Sequence, residues 1–551
     1  MRAGLALLSL LILAGCATTR ELPQAPDGPA QQALEQDYYH VDIPTHDGKE
    51  LKATVYQPEL AAGETAPVVI ATHGFGISRA KRPWSFHGQW MITGEAALKA
   101  WKQGYWVVYY DQRGWGDSEG VVRMMDPDYE VRDVSSVIDW TLEHIPAVQE
   151  LNDGDPALGM IGESYGGGAQ TMASFEDPRL EALVPIATWH DLNALAPNGH
   201  MRTNWGAHLF SIGAFASGFD IGFMVQKPMR SGFTGTVSHA AQRKMRKHSP
   251  VHYCEDEQYP QADALFVQGF RDSVFPLQEG LDNRACFEAG GNDARMLAIQ
   301  GGHILPWPVQ KFSGKPLFNT EDEIRCGQQE PVKLEDLILH WWDEKLRGEE
   351  RQVPEFCVTL NEESEGQAMK RFPSGGEEFM LPDSKVHLPF AGMFEWLMIP
   401  MDVGFDLWRK VWWSGADYRM KKPDGGIGRP KFVPLYIAHE DERLLGIPEI
   451  DIRLDSTASK ITAKAFVGVG VQEAGMRRVH VASEQLTPLP GKGVYKQELP
   501  AVSRKLDHGD RVGLVIYGYT WQFFTNPSYW HNVARLGGDV YLPILGPADE
   551  S

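Results

Sequence analysis

Two short stretches carry the spacing Gly-x-Ser-x-Gly: Gly116-Asp117-Ser118-Glu119-Gly120 and Gly162-Glu163-Ser164-Tyr165-Gly166. In a nucleophile elbow this pattern makes a sharp strand-to-helix turn that lifts a serine hydroxyl clear of the backbone. The glycines are needed because side chains at those positions would collide with neighbouring backbone, and the helix that follows aims its N-terminus at the serine. Context separates the two matches. Ser164 comes directly after the apolar run 157–161 and is followed by YGGGAQTMA, which can enter a helix. Ser118 lies several residues beyond its strand, across a Gly-rich turn, and runs into Glu119-Gly120-Val121-Val122, which starts no helix. In a chain with 56 glycines the pattern also arises by chance. Ser164 is therefore read as the nucleophile and Ser118 as a loop residue, with Asp111, Arg113 and Asp117 available to satisfy turn N–H groups or to pair with one another.

A serine hydroxyl is a weak nucleophile and needs a base, and the base needs an orienting carboxylate. In a strand–turn–helix setting the chain order is Ser, then Asp or Glu, then His. Asp272 follows the strand-like ALFVQGF in the loop RDSVFP, and His303 follows ARMLAIQ in GGHILPW. Asp282, Asp263 and His190 are the competing candidates. The oxyanion of acyl transfer needs two fixed N–H donors. One is expected from the backbone of Tyr165 and the other from the loop Thr72-His73-Gly74-Phe75-Gly76, at Phe75.

The elements that must hold these residues alternate between strand and helix. The stretch 40–58 reads as a hairpin around Asp47-Gly48, and APVVIATHG, YWVVYYDQRG, PALGMIG, LEALVPIA, ALFVQGF and ARMLAIQ read as short buried strands. Helical spacing of Val134, Val137, Ile138, Thr141, Leu142 and Ile145 predicts an amphipathic helix over 131–146, and LEDLILHWWDEKLRG another over 334–348. An interval over about 191–254, rich in Gly, Phe and Met, reads as a cap inserted between two strands. After about 351 short alternating strands bounded by Gly, Pro and Asp predict a β-sandwich of jelly-roll type. Between the regions, 392–413 is crowded with Met and Trp, which burial against a neighbouring domain explains more simply than membrane contact. The fold class is thus α/β: one domain over 38–350 with a cap insertion, a connecting segment over about 361–430, and a C-terminal jelly roll within 351–551.

The chain has 551 residues and a formal net charge of −21, which excludes nucleic acid as a partner, since phosphate binding needs clustered cations. Residues 1–15 combine Arg2 with an apolar run too short to span a bilayer, ending in Leu13-Ala14-Gly15-Cys16. That ending resembles a bacterial lipobox, in which Cys16 would be acylated and anchor the chain to a membrane, facing the periplasm or the exterior. Residues 16–37 then read as a tether. Cys254, Cys286, Cys326 and Cys357 remain, enough for disulfides in an exported protein, with three pairings open. No Cys/His spacing suggests a metal.

Together, DQRGWGDSEG (111–120), GESYGGG (162–168), the Asp272 and His303 loops, and a C-terminal region with LLGIPEIDIRLDST and HGDRVGLVIYGY resemble the Xaa-Pro dipeptidyl-peptidase and cocaine-esterase-like (CocE/NonD) serine hydrolases. The resemblance implies an α/β-hydrolase domain over 38–350 with a helical cap, followed by a jelly-roll domain that helps wall the site, and acyl transfer from esters or amides to water, through an acyl-enzyme and without a cofactor. One departure stands out. Esterases of this group often carry a Pro-Tyr pair after the early strand, where this chain has His73-Gly74-Phe75. The cap is also basic: between 192 and 253 Asp220 is the only acid, against Arg202, Lys227, Arg230, Arg243, Lys244, Arg246 and Lys247. A site for a peptide N-terminus wants carboxylates, and only Glu163 or acids outside the cap could supply them. An esterase or amidase for neutral or anionic acyl groups is therefore expected ahead of a strict Xaa-Pro dipeptidyl aminopeptidase. A non-catalytic envelope lipoprotein that keeps the fold as a binding module is the remaining alternative.

Overall fold

The structure is a computed structural model that describes residues 19–218, 222, 235–303, 323–326, 331–350, 352–360, 366–388, 419–420, 423–456, 464–523 and 533–546. Cys16, Lys227, Arg230 and the Met- and Trp-rich run 392–413 lie outside these residues. No helix among the described residues is long and apolar enough to cross a membrane.

Short apolar segments build a mixed sheet. The hairpin β1 (Asp37–Pro44) and β2 (Glu50–Gln57) forms around Asp47-Gly48, and β3 (Val68–Thr72) and β4 (Trp106–Tyr110) are fully buried five-residue runs. After a two-stranded flap, β5 (Glu150–Asn152) with β6 (Asp155–Pro156), come β7 (Leu158–Glu163), β8 (Ala182–Ile186), β9 (Asp263–Gly269) and β10 (Ala294–Ile299). A minor pair, β11 (Glu323–Ile324) and β12 (Val332–Lys333), precedes β13 (Phe356–Thr359) and β14 (Gly366–Ala368). The order is β1-β2-β4-β3-β7-β8-β9-β10-β13-β14. From β4 to β13 neighbouring strands run parallel, so the loops at their C-terminal ends converge on one edge. Alternation along each strand feeds two apolar layers: Val68, Ile70, Met160 and Phe266 on one face, Val69, Ala71, Ile161 and Val267 on the other.

Helices cover both faces. Arg132–His144 buries Val134, Val137 and Ile138 as the spacing predicts, and Leu334–Arg347 ends at Gly348 in the left-handed conformation. The excursion between β8 and β9 is helical in its described parts, with Thr203–Ala216, His239–Lys247 and Pro250–Glu255.

Two boundaries differ from the sequence reading. The first sheet does not stop at 350, because β13 pairs in parallel with β10 and β14 closes the edge. FCVT is too short to stand out in the sequence; it becomes a strand because β10 offers an unpaired edge. The tether over 16–37 is also not a free linker from Arg20 onward. Arg20 N–H donates to His40 O, Ala25 N–H to Glu143 O, and Leu34 and Leu60 exchange backbone hydrogen bonds. Leu22 and Leu34 pack on the core. A few apolar side chains and backbone partners are enough to lay this polar stretch on the domain.

The second region is antiparallel. Glu377–His387, Val533–Leu542, Glu449–Ser456 and Gly493–Glu498 form a four-stranded sheet, and Ala465–Gln472, Arg511–Tyr517 and Lys431–Ile437 lie in a six-stranded one. Val386, Ile452, Leu536 and Val540 from the first meet Val467, Val469, Leu514 and Ile516 from the second in one core. This region grips the loops of the first. Gln485 Nε2 donates to Phe270 O at 3.2 Å, Gln278 Nε2 to Leu499 O at 2.8 Å and Gln300 Nε2 to Ser503 O at 3.3 Å. These are the segments just before and after Asp272 and just before His303.

Candidate active site

Ser164 stands where β7 turns into the helix Tyr165–Ala173, with φ 52° and ψ −109°. Positive φ at a residue with a Cβ costs about 1–3 kcal/mol and persists only where the surroundings impose it. The flanking glycines show what imposes it. A Cβ on Gly162 would stand 2.5 Å from the backbone of Gly166, and one on Gly166 would stand 2.8 Å from Thr72 O. The turn is therefore too tight for any side chain at either position, and it brings the end of β3 against the elbow. Ser164 N–H donates to Ile186 O at 2.7 Å, which fixes the turn to β8.

Three of the sequence candidates meet in one relay. His303 Nε2 lies 2.8 Å from Ser164 Oγ, and His303 Nδ1 donates to Asp272 Oδ2 at 2.9 Å. Asp272 is fully buried and saturated with donors: Gln268 Nε2 at 3.1 Å on Oδ2, and the N–H groups of Val274 at 2.9 Å and Phe275 at 3.0 Å on Oδ1. With the carboxylate held this way, the imidazole keeps Nδ1 protonated and turns the lone pair of Nε2 toward the hydroxyl. The Phe275 ring packs against His303 with centroids 5.5 Å apart, which restricts the ring further.

The other candidates do not join this relay. Asp263 sits at the opposite end of the sheet, paired with Lys345 at 2.7 Å. Asp282 is exposed on the helix Leu277–Ala289. His190 Nδ1 is hydrogen-bonded to Asn283 Oδ1 at 3.0 Å.

Tyr165 is the first residue of its helix, so its N–H has no intrahelical acceptor. Neither that N–H nor the N–H of Phe75 has a hydrogen-bond partner among the described residues. The loop bearing Phe75 is held rigidly. His73 is buried, its Nδ1 donates to Gly74 O at 2.8 Å, and its Nε2 accepts from Gln112 N at 3.1 Å. Burial pushes its imidazole below the ordinary value, in keeping with a neutral structural ring. The Phe75 ring packs edge-on against Trp115 at 4.6 Å and Tyr165 at 5.6 Å. Tyr165 in turn donates its hydroxyl to Glu130 Oε1 at 3.2 Å and accepts from Met125 N at 3.1 Å, so the phenol is tied away from the serine.

Ser118 is built differently. Its hydroxyl donates to Asp111 O at 2.6 Å and accepts from Lys52 N at 2.8 Å, stitching the turn to β2. The neighbouring charges do not pair with one another as the sequence allowed. Asp111 takes the Arg79 guanidinium and backbone N–H, together with the N–H of Asp117 at 3.0 Å. Arg113 forks onto Asp133 and Asp47, at 2.6 and 2.7 Å.

These features meet a known family. Residues 47–219 match the model of the X-Pro dipeptidyl-peptidase (S15 family). The S15 match runs from the hairpin turn through the elbow into the cap. Among solved structures, an α-amino acid ester hydrolase is similar over 93% of this chain and 97% of its own, with TM-score 0.60 and 15% identity. A CocE/NonD family hydrolase from Staphylococcus aureus is similar over 96% of this chain and 99% of its own, with TM-score 0.57 and 12% identity. At these identities they establish the shared α/β-hydrolase-like fold. A thiohydrolase of Aspergillus aculeatus is 27% identical over 155 residues, 28% of this chain and 42% of the relative. The chain spans less than half the length of the curated relatives it matches.

Sequence reasoning missed three contributors. Glu130 and Arg79 lie far along the chain from the groups they hold, and nothing in their spacing marks them. Arg202 was visible only as one of seven cap cations. It is 3% exposed, and its Nη1 donates to Ser273 O at 2.7 Å, beside Asp272.

Proposed function

We propose that the chain is a serine hydrolase that cleaves esters or amides of neutral or anionic acyl groups through an acyl-enzyme on Ser164. The observation that carries this reading is the Ser164–His303–Asp272 relay on a strained elbow, with the N–H groups of Tyr165 and Phe75 unpaired among the described residues. Ser164 Oγ attacks the acyl carbon while His303 Nε2 takes the hydroxyl proton. The negative oxygen of the tetrahedral intermediate is received by the N–H groups of Tyr165 and Phe75. Collapse breaks the bond to the leaving alcohol or amine, which takes the proton from His303 and leaves an ester on Ser164. Water then loses a proton to His303, attacks that ester and releases the carboxylic acid and the free serine. Asp272 keeps the imidazole in the required tautomer throughout and stabilises its protonated form.

The acyl preference rests on charge. Arg202 is a buried cation beside the Asp272 loop, and its Nε has no hydrogen-bond partner among the described residues. Its guanidinium falls to about 10 through burial, with Asp272 and Glu279 opposing the fall. A peptide ammonium would be repelled there, whereas a neutral or anionic group would not. The S15 description favours the second reading, an Xaa-Pro dipeptidyl aminopeptidase.

The lipobox-like ending at Cys16 supports an envelope lipoprotein facing the periplasm or the exterior. Cys254–Cys286 and Cys326–Cys357 are bonded, as an oxidising compartment permits. Each closes a loop of about 30 residues, worth about 3–4 kcal/mol in the chain-entropy account, and they brace the cap and the return from the His303 loop. The C-terminal sandwich is read as a jelly roll that walls the site.

Labelling with a fluorophosphonate probe tests the mechanism. Wild type is expected to label, and the folded Ser164→Ala variant is not; an unlabelled wild type overturns the enzyme reading and leaves the binding-module alternative. Comparing a p-nitrophenyl acyl ester with a Gly-Pro anilide tests the substrate class, and faster dipeptide release reverses the ranking.

A further inference from the structure

The segment 81–90, KRPWSFHGQW, connects β3 to the helix Ile92–Lys102 and has no part in the proposed hydrolysis. It leaves large aromatic side chains in solvent, with Trp84 65% and Phe86 53% exposed. Phe86 stacks on Trp90 with centroids 6.4 Å apart, and Trp84 meets the Tyr38 ring edge-on at 5.9 Å. Lys81 and Arg82 precede them. Both act on the His40 imidazole, which burial and then the charges of Arg79, Lys81 and Arg82 hold below its ordinary value, against Asp117. Cations and aromatics therefore share one flank of the sheet, along β1. Acids along it include Asp117, 2.6 Å from Lys81, Asp37, 4.0 Å from Arg20, and Asp42, 2.9 Å from Lys52. Arg82 stays exposed. Indole and phenyl rings with a flanking cation suit the headgroup layer of a bilayer, where an apolar body and a polar rim are both accommodated.

Chain length says what lies opposite this flank. Arg20 is pinned to the same edge strand, its N–H donating to His40 O at 2.8 Å and its guanidinium lying 4.7 Å from the Tyr39 ring centre. Cys16 precedes it by four residues, which span at most about 14 Å when fully extended. An acyl anchor on Cys16 thus holds the bilayer within about 14 Å of Arg20, beside the aromatic flank. This rests on the lipoprotein reading above. We propose that Trp84, Phe86 and Arg82, with Lys81, form a docking face that lies on the anionic phospholipid surface in which Cys16 is anchored, so that the protein is held in one orientation rather than hanging on a leash.

The test uses the full acylated chain reconstituted in phosphatidylethanolamine–phosphatidylglycerol vesicles. A nitroxide is placed at Gln89→Cys, within the face, or at Ile427→Cys, an exposed position on the second region. Retained fluorophosphonate labelling of Ser164 reports an intact fold. The label at 89 is expected to be several-fold less accessible to an aqueous nickel chelate, and more accessible to oxygen, than the label at 427. The difference should collapse when Trp84→Ser and Phe86→Ser are added. Equal aqueous access at both sites, in a chain whose acylated Cys16 is verified by mass spectrometry, overturns the docking face alone. An unacylated Cys16 overturns the lipoprotein reading and the docking face with it.

Discussion

Ser118 and Ser164 occupy the same five-residue pattern, and the structure treats them in opposite ways. At Ser118 the hydroxyl is satisfied on both sides: it bridges Asp111 and Lys52, and the turn is clamped by Arg79 and by Arg113 on Asp133 and Asp47. Around Ser164 satisfaction is withheld, with a strained φ, a hydroxyl facing a basic nitrogen, and N–H groups at Tyr165 and Phe75 left without acceptors among the described residues. A turn that stores strain and unpaired donors is poised for a ligand. One that spends all its hydrogen bonds internally is a joint.

Substitution at the two serines gives the largest contrast. Ser164→Ala is expected to lower ester hydrolysis by about 10⁴-fold or more, whereas Ser118→Ala keeps kcat and loses about 1–2 kcal/mol of stability in a denaturant titration. Similar losses of activity in the two variants would break the comparison. The joint itself is probed by Arg113→Met. Asp133 would stay buried and lose its guanidinium partner, keeping only His46 at 3.9 Å, and the expected cost is about 3–5 kcal/mol, read as a lower denaturation midpoint. A near-neutral result would mean that the clamp does not stabilise the turn.

The smallest effect concerns Glu163, covalently next to Ser164. Burial first, and then the charge of Glu95, raise its carboxyl from 4.5 to about 8. The folded state then holds a proton that the unfolded chain releases, so this group's stabilisation is complete below about pH 4.5 and fades as pH rises through about 8. Thermal melts of Glu163→Gln should show a shallower fall of Tm between pH 5 and 8 than wild type, by a few degrees for a chain of this size. Parallel profiles would show that the carboxyl is ionised throughout.

Much of this is legible in the sequence. The strands of the parallel sheet announce themselves as short apolar runs ending in Gly, and the Ser, Asp, His order after successive strands picked out the three relay residues. The reading failed where a segment's state depends on its neighbour. FCVT is a strand because β10 leaves an edge for it, and residues 20–34 lie down because His40, Glu143 and Leu60 offer partners. Glu130 and Arg79 were invisible because their partners lie 35 and 32 residues away along the chain.

The sequence by itself determined the α/β alternation, the elbow at 162–166 and the residue types of the relay, because these are encoded in local spacing and chain order. Only the tertiary structure decided the pairing of the four cysteines, the burial that lifts the Glu163 carboxyl, the partners that saturate Ser118 and the flank on which Trp84 emerges. Each of those depends on which distant groups arrive within a few ångströms, and that is set by the packing of the sheet and not by the order of residues along it.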